Sequence, residues 1–536
     1  MSRKSAGALL AGACLLFIAC GTEELPEQAQ LENSGERLDA SCQPPSFVAE
    51  LTSGAAGSDI RAILEFNGVL LVNVYTGPTS DLWKVVEREN GPAGEPRWEA
   101  VLLRRFFNAP LSFHTRIGSA LYFTADDGVH GGELWKTDGT ATGTKMVEDI
   151  WPGTGSSFPN TFVEVGSTRY FLASDATHGR ELWKTDGTAR GTRLVEDIFP
   201  GPTNSGVFSL MRLGSDKVFF FADDGVHGTE PWVSDGTHRG TRLVEDILPG
   251  LGSSQPFSAA RLSDTEIFFA AHDGVHGREP WKSDGTHRGT VLIEDIVPGI
   301  TGSEPEQPFS AHGVVYFAAD DGANGRELWW SDGTHRGTRI LKDINPGPGG
   351  SRAGALAVLG SSLFFIAEDG VHGRQPWISN GRSSGTRMLG HFNTGGLDFF
   401  GGPSFSAGDK VYFFFLTPEF GHELWVSDGT SAGTHILKDI NPGPGNAFAA
   451  DPNTPAIIEG GILTDASDGE NGLELWWSNG TTEGTMMSEL NPGPESSFPF
   501  GYARGGAWIY FSAEDGVRGR ELWALPLACV QSPGGS

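Results

Sequence analysis

Leu121 to Ile150 reads LYFTADDGVHGGELWKTDGTATGTKMVEDI, and Ile267 to Ile296 reads IFFAAHDGVHGREPWKSDGTHRGTVLIEDI. Each stretch opens on a short apolar run, turns at Asp-Gly, reaches a tryptophan, turns again at Asp-Gly-Thr and ends on a second apolar run. The same tryptophan recurs outward from these two copies, at Trp83, Trp135, Trp183, Trp232, Trp281, Trp329, Trp377, Trp425, Trp476 and Trp523, spaced by 52, 48, 49, 49, 48, 48, 48, 51 and 47 residues. A fixed period of this size marks an array of like supersecondary units. After most units comes a Pro-Gly loop, as at Pro152-Gly153, Pro249-Gly250, Pro346-Gly347, Pro442-Gly443 and Pro492-Gly493.

Short Val/Ile/Phe/Tyr/Trp runs between Gly, Asp, Ser and Pro clusters predict strands, four to a unit. In the fourth unit they are expected at Gly206 to Leu213, Val218 to Ala222, Glu230 to Ser234 and Thr241 to Ile247. The second run is apolar on both faces, as a sheet covered by a neighbour on each side requires. Proline stands before the tryptophan at Pro231, Pro280 and Pro376, which places the start of strand three there, since proline cannot donate to a ladder. Four strands in ~48 residues is the blade size of propellers. The fold class expected is all-β: a closed β-propeller of about ten four-stranded blades, its N-terminal strand completing the last blade.

The ELW text, two free positions and DGT, repeated many times over, resembles the ELWxxDGT repeat family of exported bacterial proteins. The resemblance covers about residues 44 to 528. It implies an architecture and says little about activity.

The N-terminus reads as an address. Arg3 and Lys4 precede an apolar, small-residue stretch from Ala6 to Ala19, too short for a membrane span and typical of a secretory signal. It ends Phe17-Ile18-Ala19-Cys20-Gly21, which resembles the bacterial lipobox, with Phe17 where Leu is usual. Residues 1–19 are therefore expected to be a signal peptide, Cys20 a lipid anchor, 20–43 an acidic tether, 44–530 the propeller and 531–536 a disordered tail. The expected location is the outer membrane or cell surface, with the membrane met only through the lipid.

The last unit runs through Glu521 to Leu527 and lacks a fourth strand, while Phe47 to Gly54 aligns with the fourth-strand text Leu243 to Gly250. Pairing the two closes a ring and removes two exposed sheet edges. Of four cysteines, Cys14 leaves with the signal and Cys20 takes lipid, so Cys42 and Cys529 remain to form a disulfide in an oxidising compartment. Two smaller rings or an open superhelix are the alternatives to one ring of ten.

Asp127, Asp224, Asp273 and Asp369 open Asp-Gly-Val-His-Gly loops, often followed by a glutamate such as Glu133, Glu230, Glu279 or Glu327. Asp, His and Glu are metal-competent, so these are candidate Ca²⁺ positions. Asp-Gly also supplies an ordinary turn, with the His capping a carbonyl, and Asn324, Asn471 and Arg518 stand in for the His, which favours the turn. In the Asp-Gly-Thr loops (Asp138, Asp186, Asp235, Asp284, Asp332, Asp428) Asx and Thr turns account for the residues. Three of them add His238-Arg239, His287-Arg288 and His335-Arg336, a possible anion patch on one rim.

The formal net charge of −29 argues against nucleic acid, whose phosphates need a basic face. A catalytic site needs residues that break the repeat. The departures are Thr417 to Phe420, Asp465 to Asn471 and the loop Glu87 to Arg97, and none forms a Ser/His/Asp, Cys/His or paired-carboxylate signature. The expectation is a monomeric surface binding scaffold without catalytic residues or cofactor, Ca²⁺ aside, whose partner is an extracellular protein or glycan. A propeller enzyme acting on extracellular polysaccharide is the alternative.

Overall fold

The computed structural model describes residues 44–52, 57–88, 97–392, 403–449 and 455–530. The fold is all-β, 50% strand and 4% helix. The described strands fall into four-stranded antiparallel sheets, with one exception: the first two units share a seven-stranded sheet. One continuous strand, Arg97–Ile117, serves there as the fourth strand of unit one and the first of unit two, pairing with Thr79–Arg88 on one side and Ala120–Asp126 on the other. All ten repeat tryptophans lie on the third strand of their unit, from Trp83 on Thr79–Arg88 to Trp523 on Arg520–Pro526.

Strand two explains its uniform apolarity by packing both ways. In Lys217–Asp223, Val218, Phe220 and Ala222 face Leu172 and Leu182 of unit three, while Phe219 and Phe221 face Ile267 and Phe269 of unit five. The tryptophan faces backwards, so Trp232 joins the core shared with unit three. Ten such cores are present, one between each unit and the next, and the last joins Trp508, Tyr510 and Leu522 of unit ten to Ile60, Leu70 and Val72 of unit one. No sheet has a single core of its own; each is stable only between neighbours, as in other repeat arrays.

Ser46–Ala49 pairs antiparallel with Arg520–Pro526, Ser46 opposite Ala524, and fills the missing fourth position of unit ten. First strands of neighbouring units lie against one another: Phe257–Arg261 on Glu306–Ala311, Gly354–Leu359 on Ser404–Ala407, and Asp59–Phe66 on Phe500–Gly505. Strand one is thus the inner strand and strand four the outer one.

Two expectations need correction. Strand three of unit four is Thr229–Ser234, one residue longer at its start than the expected Glu230 to Ser234, so Pro231 does not mark the strand's start but sits inside it opposite Phe221. The proline is tolerated because its carbonyl, and hence its nitrogen, faces strand four, where Val244 N donates to Pro231 O at 2.8 Å and regular pairing has stopped. Strand four itself is only Arg242–Leu243, much shorter than the run expected from its apolar text, because the chain curls inward from Val244 to bury Val244 and Ile247.

Candidate functional site

Alternating strand directions separate the loops into two faces. The Asp-Gly-Val-His-Gly turns and the Pro-Gly loops between units share one face; the Asp-Gly-Thr turns share the other with the turns between strands one and two.

On the first face, each candidate metal aspartate is occupied within its own turn. Asp127 accepts from Val129 N and His130 N, both at 3.0 Å, and its carboxylate meets His130 Nδ1 at 2.9 Å. Asp224, Asp273 and Asp369 meet His227, His276 and His372 in the same way at 2.6–2.7 Å. Where His is replaced, Asn324 donates to Asp321, Asn471 to Asp468 and Arg518 to Asp515. The His therefore binds the turn's own carboxylate and does not cap a carbonyl. Burial opposes ionisation of Asp127, but the hydrogen bonds from His130 and Val129 outweigh it and hold the carboxyl below its usual value, while the carboxylate raises His130. Among the described residues no three His, Cys, Asp or Glu side chains are grouped as a metal would need. Asp175 with His178 is a further copy that the sequence reading passed over, because Ala-Thr replaces Gly-Val between them.

The glutamate that follows is structural in each unit. Glu133 has no exposed surface, and its carboxylate accepts from Ile150 N, Trp151 N, Ser157 N and Ser157 Oγ. It thereby clamps the loop leaving its own unit onto strand three. Glu181, Glu230, Glu279, Glu327, Glu423, Glu474 and Glu521 repeat the position, and burial pushes most of these carboxyls up to about 7 and Glu423 to about 9. In unit seven the residue is Gln375, whose amide donates to His372 O and Phe392 O and accepts from Phe392 N.

The same face carries what the repeat does not need. Val226, Leu251, Val275 and Ile300, at the loop tips of units four and five, are 58%, 81%, 61% and 83% exposed. Val129, Val371 and Val517 are exposed at the corresponding turn of units two, seven and ten, and Phe158 and Phe498 are exposed further along the inter-unit loop, at the position of Gln255. In units four and five these tips are brought side by side: a Cβ on Gly228 would meet Gly252, and one on Gly274 would meet Leu248, so the loop between the two units touches the turns on both sides of it, and the row of tips is called the belt below. The sequence reading missed this belt, since single Val residues after Asp-Gly read as turn filler.

On the second face each Asp-Gly-Thr turn holds its own aspartate and threonine, while its glycine carbonyl can accept from the preceding unit, as Gly187 O does from Tyr122 Oη at 3.1 Å. Asp235 accepts from Thr237 N at 2.8 Å and Thr237 Oγ1 at 2.6 Å, and Thr237 Oγ1 accepts from Gly240 N at 3.0 Å. The His-Arg pairs are split by the structure. His238, His287 and His335 each bridge to a glutamate at or just past the end of strand four of the preceding unit, Glu196, Glu245 and Glu294. Arg239, Arg288 and Arg336 stand exposed beside them.

Among the described residues the departures from the repeat do not assemble a reactive cluster. In unit eight, Thr417 Oγ1 accepts from Phe420 N, and His422 is buried with Nδ1 on Ala449 O at 2.9 Å, its pKa lowered by burial. In unit nine the segment closes as the Asp468–Asn471 turn. In unit one residues 89–96 lie outside the described residues. So do Cys20 and Cys42, whereas Cys529 is buried in the short helix Leu527–Val530 that follows the last strand.

No family model matches the chain, and no curated protein matches it. Solved structures similar to it include one of two prolyl endopeptidases (12% identity over 62% of this chain and 49% of that chain, TM-score 0.32). Others are the β-propeller domain of the Trilobed protease from Pyrococcus furiosus, titled as having an open velcro topology (11%, 62% and 98%, TM-score 0.28), and TolB from Acinetobacter baumannii (11%, 80% and 80%, TM-score 0.26). The chain spans about half the length of the first of these, and at such scores the likenesses carry no argument about activity.

Proposed function

We propose that this chain is an exported, lipid-anchored scaffold of the ELWxxDGT repeat type, a single closed ring of ten blades that presents the belt of aliphatic loop tips to a partner protein. The observation that carries the reading is the belt. Single exposed apolar side chains are ordinary on a protein surface, but four of them, Val226, Leu251, Val275 and Ile300, at the tips of two adjoining units mark an interaction site. Closure is supported by the pairing of Ser46 with Ala524 and by the core shared between units ten and one. The Cys42–Cys529 disulfide is supported by chain order, since Cys42 lies four residues before Ser46 and Cys529 three residues after Pro526, at the same end of the two paired strands.

The chain enters strand four of unit ten at Ser46, on the Asp-Gly-Thr face. With Cys20 acylated, the tether leaves from that face and the belt points away from the anchoring membrane. The belt also lies among acidic residues such as Asp223, Asp224 and Asp246, so the partner surface it fits is apolar and basic.

Photo-crosslinking in intact cells from position 251, with position 288 on the opposite face as control, tests the reading. A discrete protein adduct at 251 that is absent at 288 and lost in Val226→Ser/Ile300→Ser is the expected result. Adducts to lipid, or the same adducts from both positions, would overturn it.

A further inference from the structure

The junction of units seven and eight leaves open a space that units two and three fill at theirs. In unit three, Tyr170, Lys184 and Arg193 stand side by side on strands two, three and four. The Tyr170 hydroxyl packs against Gly236 in the Asp-Gly-Thr turn of the next unit, and Lys184 Nζ donates to the Gly236 carbonyl. Unit two repeats this with Tyr122 and Lys136, which both donate to Gly187 O. In unit seven the matching residues are Phe364, Ile378 and Arg387. The phenol oxygen and the ammonium are both gone, and Arg387 Nη2 donates to Gly429 O at 3.0 Å in their stead. Ser362 stands beside them where units four and eight carry Lys217 and Lys410. The result is a cavity of about 200 Å³ between the two units, on the Asp-Gly-Thr face.

Leu359 and Ile378 give the cavity an apolar wall, both within 4 Å of where a Cβ on Gly429 would stand. Asp428, Asn380, Ser362 and Arg387 line the rest. Asp428 Oδ1 accepts from Thr430 N and Thr430 Oγ1, and Asn380 Oδ1 accepts from Arg382 N. Among the described residues no partner takes the second Asp428 oxygen, the Asn380 amide nitrogen, the Ser362 hydroxyl or Arg387 Nε and Nη1. Arg387 and Asp428 share the cavity yet form no ion pair with each other. An anion would gain from Arg387 and lose to Asp428, and a cation the reverse. A zwitterion meets both charges, but both residues are exposed, and exposed ion pairs contribute little. A hydroxyl both donates and accepts, and a pyranose carries several of them on one apolar carbon frame. The volume lies below the ~300 Å³ at which drug-sized pockets begin, which is room for a single ring. We propose that this cavity binds one neutral hexopyranose unit of a saccharide. The proposal rests neither on the belt nor on the lipid anchor.

The test measures binding of methyl α-glucopyranoside, methyl α-mannopyranoside and methyl β-galactopyranoside to the full chain by saturation-transfer NMR, with glucuronate and leucine as competitors. At least one hexoside is expected to bind with a millimolar dissociation constant, and neither competitor to displace it. In unit nine Asn479 fills the Asp428 position and holds Thr481 by the same two bonds. Asp428→Asn therefore keeps the turn and should weaken binding about tenfold. Phe364→Tyr/Ile378→Lys, which copies unit three, should refill the cavity and abolish binding without lowering the denaturation midpoint. Leu251→Ser/Ile300→Ser should bind as the parent does. Hexoside binding that survives in the refilled variant, leucine or glucuronate bound in preference to every hexoside, or no hexoside bound at all would overturn the proposal. Where the refilled variant is itself destabilised, Asp428→Asn decides: an unchanged dissociation constant there overturns the proposal as well.

Discussion

Glu279 has no exposed surface, yet its carboxylate receives Val297 N, Ser303 N and Ser303 Oγ. Burial opposes its charge and the donors favour it; burial wins, and the carboxyl is pushed up to about 7. The folded state therefore holds this proton more tightly than the unfolded chain does. Stabilisation is complete below the ordinary value of 4.5 and is lost as pH rises through about 7. His130, His178, His227 and His276, raised by their turn carboxylates, act in the same direction. Asp127, Asp175, Asp224 and Asp273, lowered from 3.8, set the acid limit, since their contribution is lost as pH falls through their folded values. Denaturant midpoints should accordingly be highest near pH 5 and fall toward pH 8. Each unit of pKa difference is worth about 1.4 kcal/mol. Glu279→Gln, which copies Gln375, should flatten that decline measurably; a variant with the parent's pH profile would mean that Glu279 titrates normally.

At the scale of the element, the Asp-Gly-Thr hairpin is both a turn and a contact between sheets. Gly236 has φ +82°, and a Cβ there would lie 2.4 Å from Tyr170 Oη of the preceding unit. Gly322 has φ +76° with nothing within 4 Å of its Cβ position. Alanine at either site meets the left-handed backbone penalty of about 1–2 kcal/mol. Only Gly236→Ala adds a collision with a buried tyrosine, so it should cost about 1–3 kcal/mol more than Gly322→Ala by chemical denaturation. Equal losses would show that the neighbouring sheet gives way freely. The Thr237 hydroxyl, which accepts from Gly240 N, is a smaller term: Thr237→Ala should cost about 1 kcal/mol.

At the scale of the whole molecule, sheets that are stable only between neighbours make the junction of units ten and one decisive. Ser46–Ala49 supplies the outer strand there, and Leu51 N and Ser58 Oγ both donate to Glu521 Oε2. A Cys42–Cys529 bond would close a loop of nearly the entire chain, worth on the order of 5 kcal/mol in the chain-entropy account. Cys42→Ser should therefore lower the denaturation midpoint to that of the reduced parent protein, and a non-reducing peptide map of the parent should recover the two peptides joined. Free thiols at both positions, or a variant as stable as the oxidised parent, would remove the covalent lock and leave the strand exchange as the sole closure.

The repeat fixed much of this in advance, because a 48-residue period with one tryptophan leaves few ways to bury so much apolar surface, and a spare fourth strand at one end answers a missing one at the other. The turn role of Asp127 and its copies was legible for the same reason: Asn and Arg replace His without disturbing the unit, each donating to the turn's own carboxylate as His does. Three things lay beyond the text. The fusion of units one and two through Arg97–Ile117 depends on one strand carrying two successive, bulged ladders, to Thr79–Arg88 and then to Ala120–Asp126, which no local pattern encodes. The clamp made by Glu133 and its equivalents depends on a loop seventeen to twenty-four residues away folding back over strand three. The separation of the aliphatic belt from the Asp-Gly-Thr turns depends on strand direction: loops that alternate along the chain are sorted onto opposite faces only when the antiparallel sheets form.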